Sequence, residues 1–123
     1  MDGNFRVVIA GGGRVGRRAA HLLDDRGHDV VVVEADSERA DTISDAYVAT
    51  VIEGDATRPT ILEQVDLDRT DVVAALTSVT GTNLAIGMMA KQMAESVQTV
   101  VRTEREPDDE FDRFVDEVIF PER

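Results

Sequence analysis

Three glycines spaced as Gly11-x-Gly13-x-x-Gly16 follow four apolar residues, Val7–Ala10, and lead into the helix-like stretch "RVGRRAAHLL". Each glycine of such a loop has its own task. Gly11 permits a tight turn, Gly13 lets a pyrophosphate approach the backbone, and Gly16 lets the helix pack closely on the strand. Gly12 completes the loop. The amides of Arg14 and Val15 then open a helix whose dipole favours an anion. The spacing alone is a weak signal, but its place between a strand and a helix is the context that dinucleotide binding requires. The Arg14 guanidinium can pair with a phosphate in its own subunit or in a neighbour.

Further along the chain, other polar residues fall where a nucleotide would meet them. Glu34 ends the run "DVVVVEAD", about 20 residues past the loop, where a carboxylate accepts hydrogen bonds from the adenosine ribose hydroxyls. Its charge repels a 2′-phosphate, so NAD or an adenine nucleotide is expected rather than NADP. Asp55, at the tip of the next apolar run, is placed to line the adenine side. Thr77 and Ser78 end a fourth run, where hydroxyls meet the phosphates or the second ribose.

Catalysis makes a different demand. A dehydrogenase needs a proton donor or acceptor beside the nicotinamide, and the choices here are Tyr47, Lys91, His21 and His28. Tyr47 ends the second predicted helix, Lys91 and His21 fall inside helices, and His28 precedes a strand at the edge opposite the loop. There is no Tyr-x-x-x-Lys pair, no nucleophile with a base, no Walker lysine and no His/Cys cluster. No catalytic residue and no metal site are therefore expected. The carboxylates Asp108, Asp109 and Glu110 read as the solvated start of an acidic helix.

The elements that position these residues follow from hydrophobic pattern. "FRVVIA", "DVVVVEAD", "VATVIEGDA", "DVVAALT", "QTVVRTE" and "EVIFP" are short apolar runs of the kind that strands buried on both faces show. Pro121 closes the last. Helical stretches separate them. The first stops at Gly27, the second has Ser37 as its N-cap candidate, and "TRPTILEQVDL" has Thr57 as cap with Pro59 early in the helix. "GTNLAIGMMAKQMAE" is the longest, with Leu84, Ile86, Met89 and Met93 among its apolar positions, and "PDDEFDRFVD" is the last. Such alternation predicts an α/β, doubly wound Rossmann fold: a six-stranded parallel sheet, order 3-2-1-4-5-6, with helices on both faces. The whole of 1–123 reads as a single nucleotide-binding domain.

Composition narrows the partners. The 123 residues carry a net charge of −12, and Lys91 is the only lysine. That acidity repels nucleic-acid phosphates, so no nucleic-acid partner is expected. Acidic residues in place of lysine resemble the proteins of salt-loving microbes, although an acidic protein from a GC-rich genome has the same bias. Salt should screen the self-repulsion of such a chain. No apolar run reaches the length of a membrane span and no signal peptide opens the chain, so a cytoplasmic domain without membrane insertion is expected. The absence of cysteine excludes disulfides and thiolate chemistry.

Several longer motifs carry a resemblance to a known family. "GGGRVG", "GHDVVVVEAD", "VIEGDATRPTILEQVDLDRTDVVAALT", "TNLAIGMMAK", "VVRT" and "DEVIFPE" together resemble the N-terminal domain of regulators of potassium conductance, the RCK-N, KTN or TrkA-N domain. The resemblance runs from Arg6 to Glu122. Gly54-Asp55-Ala56-Thr57 and the Asn83-Leu84 pair are more specific than the glycines. The resemblance implies a regulatory domain, not an enzyme, that binds NAD or NADH, with ATP or ADP as the alternative. It implies Gly11 through Val15 on the phosphates, Glu34 on the ribose, Asp55 near adenine and Thr77 and Ser78 by the phosphates or distal ribose. It further implies Arg102 facing the ligand and Asn83 capping or orienting a loop. The implied partners are a second copy, as homodimer or larger homo-oligomer, and a potassium channel or transporter membrane subunit that holds the domain at the inner face of the membrane. Family members often carry Asp where this chain has Glu34. A nucleotide-sensing regulator of another transporter, or an NAD-dependent oxidoreductase fragment, are the alternative readings.

Overall fold

A computed structural model of the chain describes residues 4–104 and 115–120. Six strands form one all-parallel sheet in the order β3-β2-β1-β4-β5-β6. They are β1 (Arg6–Ala10), β2 (Asp29–Glu34), β3 (Thr50–Glu53), β4 (Val72–Ala75), β5 (Gln98–Arg102) and β6 (Glu117–Ile119). The helices between them are α1 (Arg14–Asp25), α2 (Ser37–Asp45), α3 (Pro59–Leu62) and α4 (Thr80–Met93). This is the predicted Rossmann topology, with the order reversing direction between β1 and β4.

The valine-rich runs form strands because both of their faces are covered. In β1, Val7 and Ile9 join Val30, Val32, Ala20 and Ile43 in one cluster, on the side of α1 and α2. Val8 and Ala10 point the other way, into a cluster with Val31, Val33, Leu62, Val73, Ile86 and Val101 on the side of α3 and α4. The two-residue alternation of a strand splits one apolar run between two cores. In register, Val8 sits between Val31 and Val73.

Three local expectations are corrected. The N-cap of α2 is Asp36, whose Oδ2 accepts from the Arg39 amide at 3.0 Å, and Ser37 is already helical. Thr57 does not cap α3, because its amide and hydroxyl both donate to Asp55 Oδ1; Arg58 holds the cap position and Pro59 is the first helical residue. The predicted third helix is a single α-turn followed by 3₁₀ turns at Glu63–Val65 and Leu67–Arg69. Asp66, at φ +58°, breaks it. Gly27, at φ +85°, ends α1 as predicted. The acidic stretch from Pro107 to Phe114, including Asp108, Asp109 and Glu110, lies outside the described residues, as does Pro121. Val115 and Asp116, expected to end that helix, form the connection into β6.

The sole lysine fixes that connection. Lys91 Nζ donates to the Val97 carbonyl at 2.6 Å and to Asp116 Oδ2 at 2.7 Å, and the Thr99 amide donates to the same oxygen at 2.8 Å. The Lys91 hydrogen bond holds the Asp116 carboxyl below its usual range. One side chain of α4 thereby ties the approach to β6 to the start of β5.

Candidate functional site

A cleft of about 540 Å³ opens along the carboxyl ends of the strands, and its walls include Gly11, Gly13, Arg14, Val15, Glu34 and Asp55. Thr77, Ser78 and Arg102 line the same cleft. Its size lies in the range of small-molecule sites, and its position is the one at which parallel α/β sheets hold ligands.

The glycine loop is built as its spacing demands. Gly11 adopts φ +109°, which only glycine takes at little cost, and its amide donates to the Val33 carbonyl at 2.9 Å. A Cβ on Gly16 would stand 1.7 Å from the Gly11 carbonyl oxygen, so the helix can approach the strand only without one. Gly13 differs: a Cβ there meets nothing within 4 Å. It is the N-cap of α1, offers no side-chain acceptor, and no acidic residue follows in the first turn. The first helical hydrogen bond runs from the Arg17 amide to the Gly13 carbonyl at 2.8 Å. The amides ahead of it have no acceptor within the helix, which leaves them for an anion.

Glu34 is buried, at 6% exposure, and both of its oxygens accept backbone hydrogen bonds. Oε1 takes the Gly12 amide at 2.5 Å and Oε2 takes the Asp36 amide at 2.7 Å. The carboxylate therefore staples the glycine loop to the β2–α2 turn while bordering the cleft. Each oxygen keeps a lone pair for a ribose hydroxyl. Gly12 and Gly16, both buried, stand behind the wall rather than in it, and the Gly12 amide is already committed to Glu34. Asp55 is exposed, and the Thr57 hydroxyl and amide, at 2.7 and 2.9 Å, hold its carboxyl below the usual range.

The far end of the cleft is organised by one buried amide. Asn83, on α4, is 1% exposed. Its Oδ1 accepts from the Thr77 amide at 3.0 Å and the Thr77 hydroxyl at 2.6 Å. Its Nδ2 donates to the carbonyls of Thr77 at 2.8 Å and Arg102 at 2.9 Å. The ends of β4 and β5 are thus fixed to the first turn of α4. Beside them, Arg102 Nη2 lies 2.9 Å from Glu104 Oε2, and Arg102 Nε is buried with no hydrogen-bond partner among the described residues. An unpaired guanidinium N–H in the wall, uncapped helix amides and open space over Gly13 together fit an anionic, phosphate-bearing ligand.

The TrkA-N domain family matches residues 7–121. The chain belongs to that family. Among curated relatives, a Trk system potassium uptake protein TrkA homolog of Pyrococcus abyssi is 38% identical over 96 residues, 78% of this chain and 42% of that protein. The Trk system potassium uptake protein TrkA of Halomonas elongata is 38% identical over 98 residues, 78% of this chain and 21% of that protein. This TrkA-N chain thus spans less than half the length of either relative. Among solved structures, the TrkA-N domain of the Escherichia coli inner membrane protein ybaL aligns with TM-score 0.83 and 18% identity, over 98% of this chain and 90% of that one. The GsuK channel bound to NAD aligns with TM-score 0.82 and 18% identity, over 96% of this chain and 22% of that one.

Two cleft residues with polar side chains, Arg39 and Thr82, were not expected from the sequence of this TrkA-N chain. Both lie in the first turn of a helix that starts at the carboxyl edge of the sheet, α2 at Ser37 and α4 at Thr80. That placement is the signal that would have found them. The four candidate proton donors lie elsewhere. His28 Nδ1 accepts from the Phe5 amide at the opposite edge of the sheet. Tyr47 is 90% exposed, Lys91 is engaged by Asp116, and His21 is exposed on α1.

Proposed function

We propose that this domain is the nucleotide sensor of a potassium-transport system, binding NAD or NADH, with ATP or ADP as the alternative ligand. One observation carries the reading: the uncapped start of α1, the Glu34 carboxylate and the Arg102 guanidinium with its unpaired Nε border a single cleft at the β1–β4 reversal. Structural neighbours support it, since the GsuK channel has been solved bound to NAD and GsuK bound to ADP. Binding without turnover fits the lining, in which the described residues include no His, Lys or Tyr.

Sensing needs a route from the cleft to a partner, and a ligand shifts an equilibrium only by binding two states unequally. Asn83 supplies a mechanical link, because the strand ends that touch the ligand hang on α4. The exposed positions of α4 and its cap, Val79, Gly81, Ala85, Met88 and Gln92, are uncharged in a strongly acidic chain. Two copies can meet there without like-charge repulsion. Ligand identity then sets the geometry of a homodimer or larger homo-oligomer on the inner face of the membrane, where a channel or transporter subunit reads it.

Calorimetric titration of NAD, NADH, ATP, ADP and NADPH in concentrated KCl tests the reading. Micromolar binding of one pair with unequal affinities is expected, with Glu34→Ala weakening it by about tenfold or more, since that change removes the ribose acceptor and frees the Gly12 amide. Failure of every nucleotide to bind would overturn the proposal. NADH turnover with any substrate would favour the oxidoreductase reading instead.

A further inference from the structure

Arg102 is a cation in the cleft wall whose charge is already contested. Its side chain is 18% exposed, and Nη2 lies 2.9 Å from Glu104 Oε2, two residues on. The other contact, from Nη1 to the Thr77 carbonyl, is long at 3.4 Å, and Nε has no partner among the described residues. Of the guanidinium's donors, then, only the one facing Glu104 is well used.

The pair is held on both sides. The Arg102 carbonyl accepts from Asn83, which anchors the arginine backbone to α4. The Glu104 amide donates to Thr80 Oγ1 at 2.8 Å, which anchors the glutamate to the start of the same helix. With both backbones fixed, the two side chains meet at the rim of the cleft. The Glu104 side chain, 44% exposed, can swing into water at little cost. Arg102 cannot leave so easily, because its Nε is buried.

We propose that Glu104 is a built-in competitor for the ligand: its carboxylate occupies the Arg102 guanidinium until a phosphate displaces it. A phosphate reaching Arg102 gains a charge-assisted hydrogen bond only by breaking the pair with Glu104. Glu104 therefore lowers nucleotide affinity, and its release on binding marks occupancy at the point where the chain leaves β5. The inference rests on the nucleotide-binding reading above.

The test is a gain of affinity, which loss of folding cannot imitate. Titrations of NADH and ADP compare the unaltered chain with Glu104→Gln, and with Asp25→Asn as a control that removes one exposed charge from the far end of α1. Glu104→Gln is expected to tighten binding by about two- to fivefold, the range of a partly exposed ion pair, and Asp25→Asn to leave it unchanged. Unchanged or weaker binding by Glu104→Gln would overturn the competitor role while leaving the nucleotide reading intact. An equal gain in both variants would overturn it as well, since net charge alone would then account for the effect. If the unaltered chain binds neither ligand, the nucleotide reading falls and takes this inference with it.

Discussion

Two of the helices that start at the carboxyl edge of the sheet, α1 and α2, start differently. α2 is closed by its own sequence: Asp36 caps the Arg39 amide and Glu38 places a second carboxylate in the first turn. α1 has a glycine cap, no side-chain acceptor and no acidic residue in its first turn. α3 and α4 also start without a side-chain cap or an acidic first turn, but α1 is the one of the four that starts on a glycine with open space over it. An N-terminal carboxylate is worth about 1 kcal/mol to a helix, so α1 forgoes stability that α2 takes. The difference bears on where the proposed ligand would sit: an anionic group from outside would complete α1, whereas α2 needs none.

The largest expected effect comes from closing the gap under α1. Gly16→Ala would place a Cβ 1.7 Å from the Gly11 carbonyl oxygen and 2.9 Å from its carbon. Backbone atoms on both sides cannot yield as a flexible side chain would. A loss of about 3 kcal/mol or more is expected, with nucleotide binding lost alongside it. Guanidinium unfolding in KCl measures it, and a variant as stable as the parent would show that helix and strand do not meet as described.

Next in size is removal of the cap that α2 does have. Asp36→Ala should cost about 1 kcal/mol in the same unfolding experiment, the usual worth of an N-cap carboxylate. Nucleotide affinity should hold, because the Asp36 amide that braces Glu34 belongs to the backbone and survives the change. A large fall in affinity without loss of stability would mean that the Asp36 side chain itself meets the ligand, and the contrast between the two helix starts would blur.

Much of this was legible in the sequence, for identifiable reasons. Strand order followed from apolar runs too short for helices and too continuous for a half-exposed sheet, together with the glycine loop after the first. Glu34 was found by spacing. Its second job was not: the carboxylate reaches back to the Gly12 amide across a turn whose path the sequence does not specify. The break at Asp66 was invisible because a left-handed aspartate carries no composition signal. The shift of the cap from Ser37 to Asp36 was a choice between adjacent residues that cap equally well, decided by which one the end of β2 leaves in extended conformation. Arg39 and Thr82 carry no spacing signal, because they reach the cleft from the first turns of α2 and α4 and not from strand ends.

The smallest expected change in stability is also the sharpest comparison, because it rebuilds α1 in the image of α2. Gly13 sits at φ −75° and ψ −160°, the extended geometry of an N-cap, and a side chain there meets nothing within 4 Å. Gly13→Asp should therefore fit without strain and cap the first amides of α1. The gain over glycine is a few tenths of a kcal/mol, visible as a slight rise in Tm of the ligand-free chain. The new carboxylate would then hold the place that the loop keeps for phosphate, and would repel whatever anion approached. Binding of NADH or ADP should disappear while the fold grows no weaker. A variant that became more stable and still bound nucleotide with the parent's affinity would separate the helix start from the ligand, and the omission at α1 would need another cause.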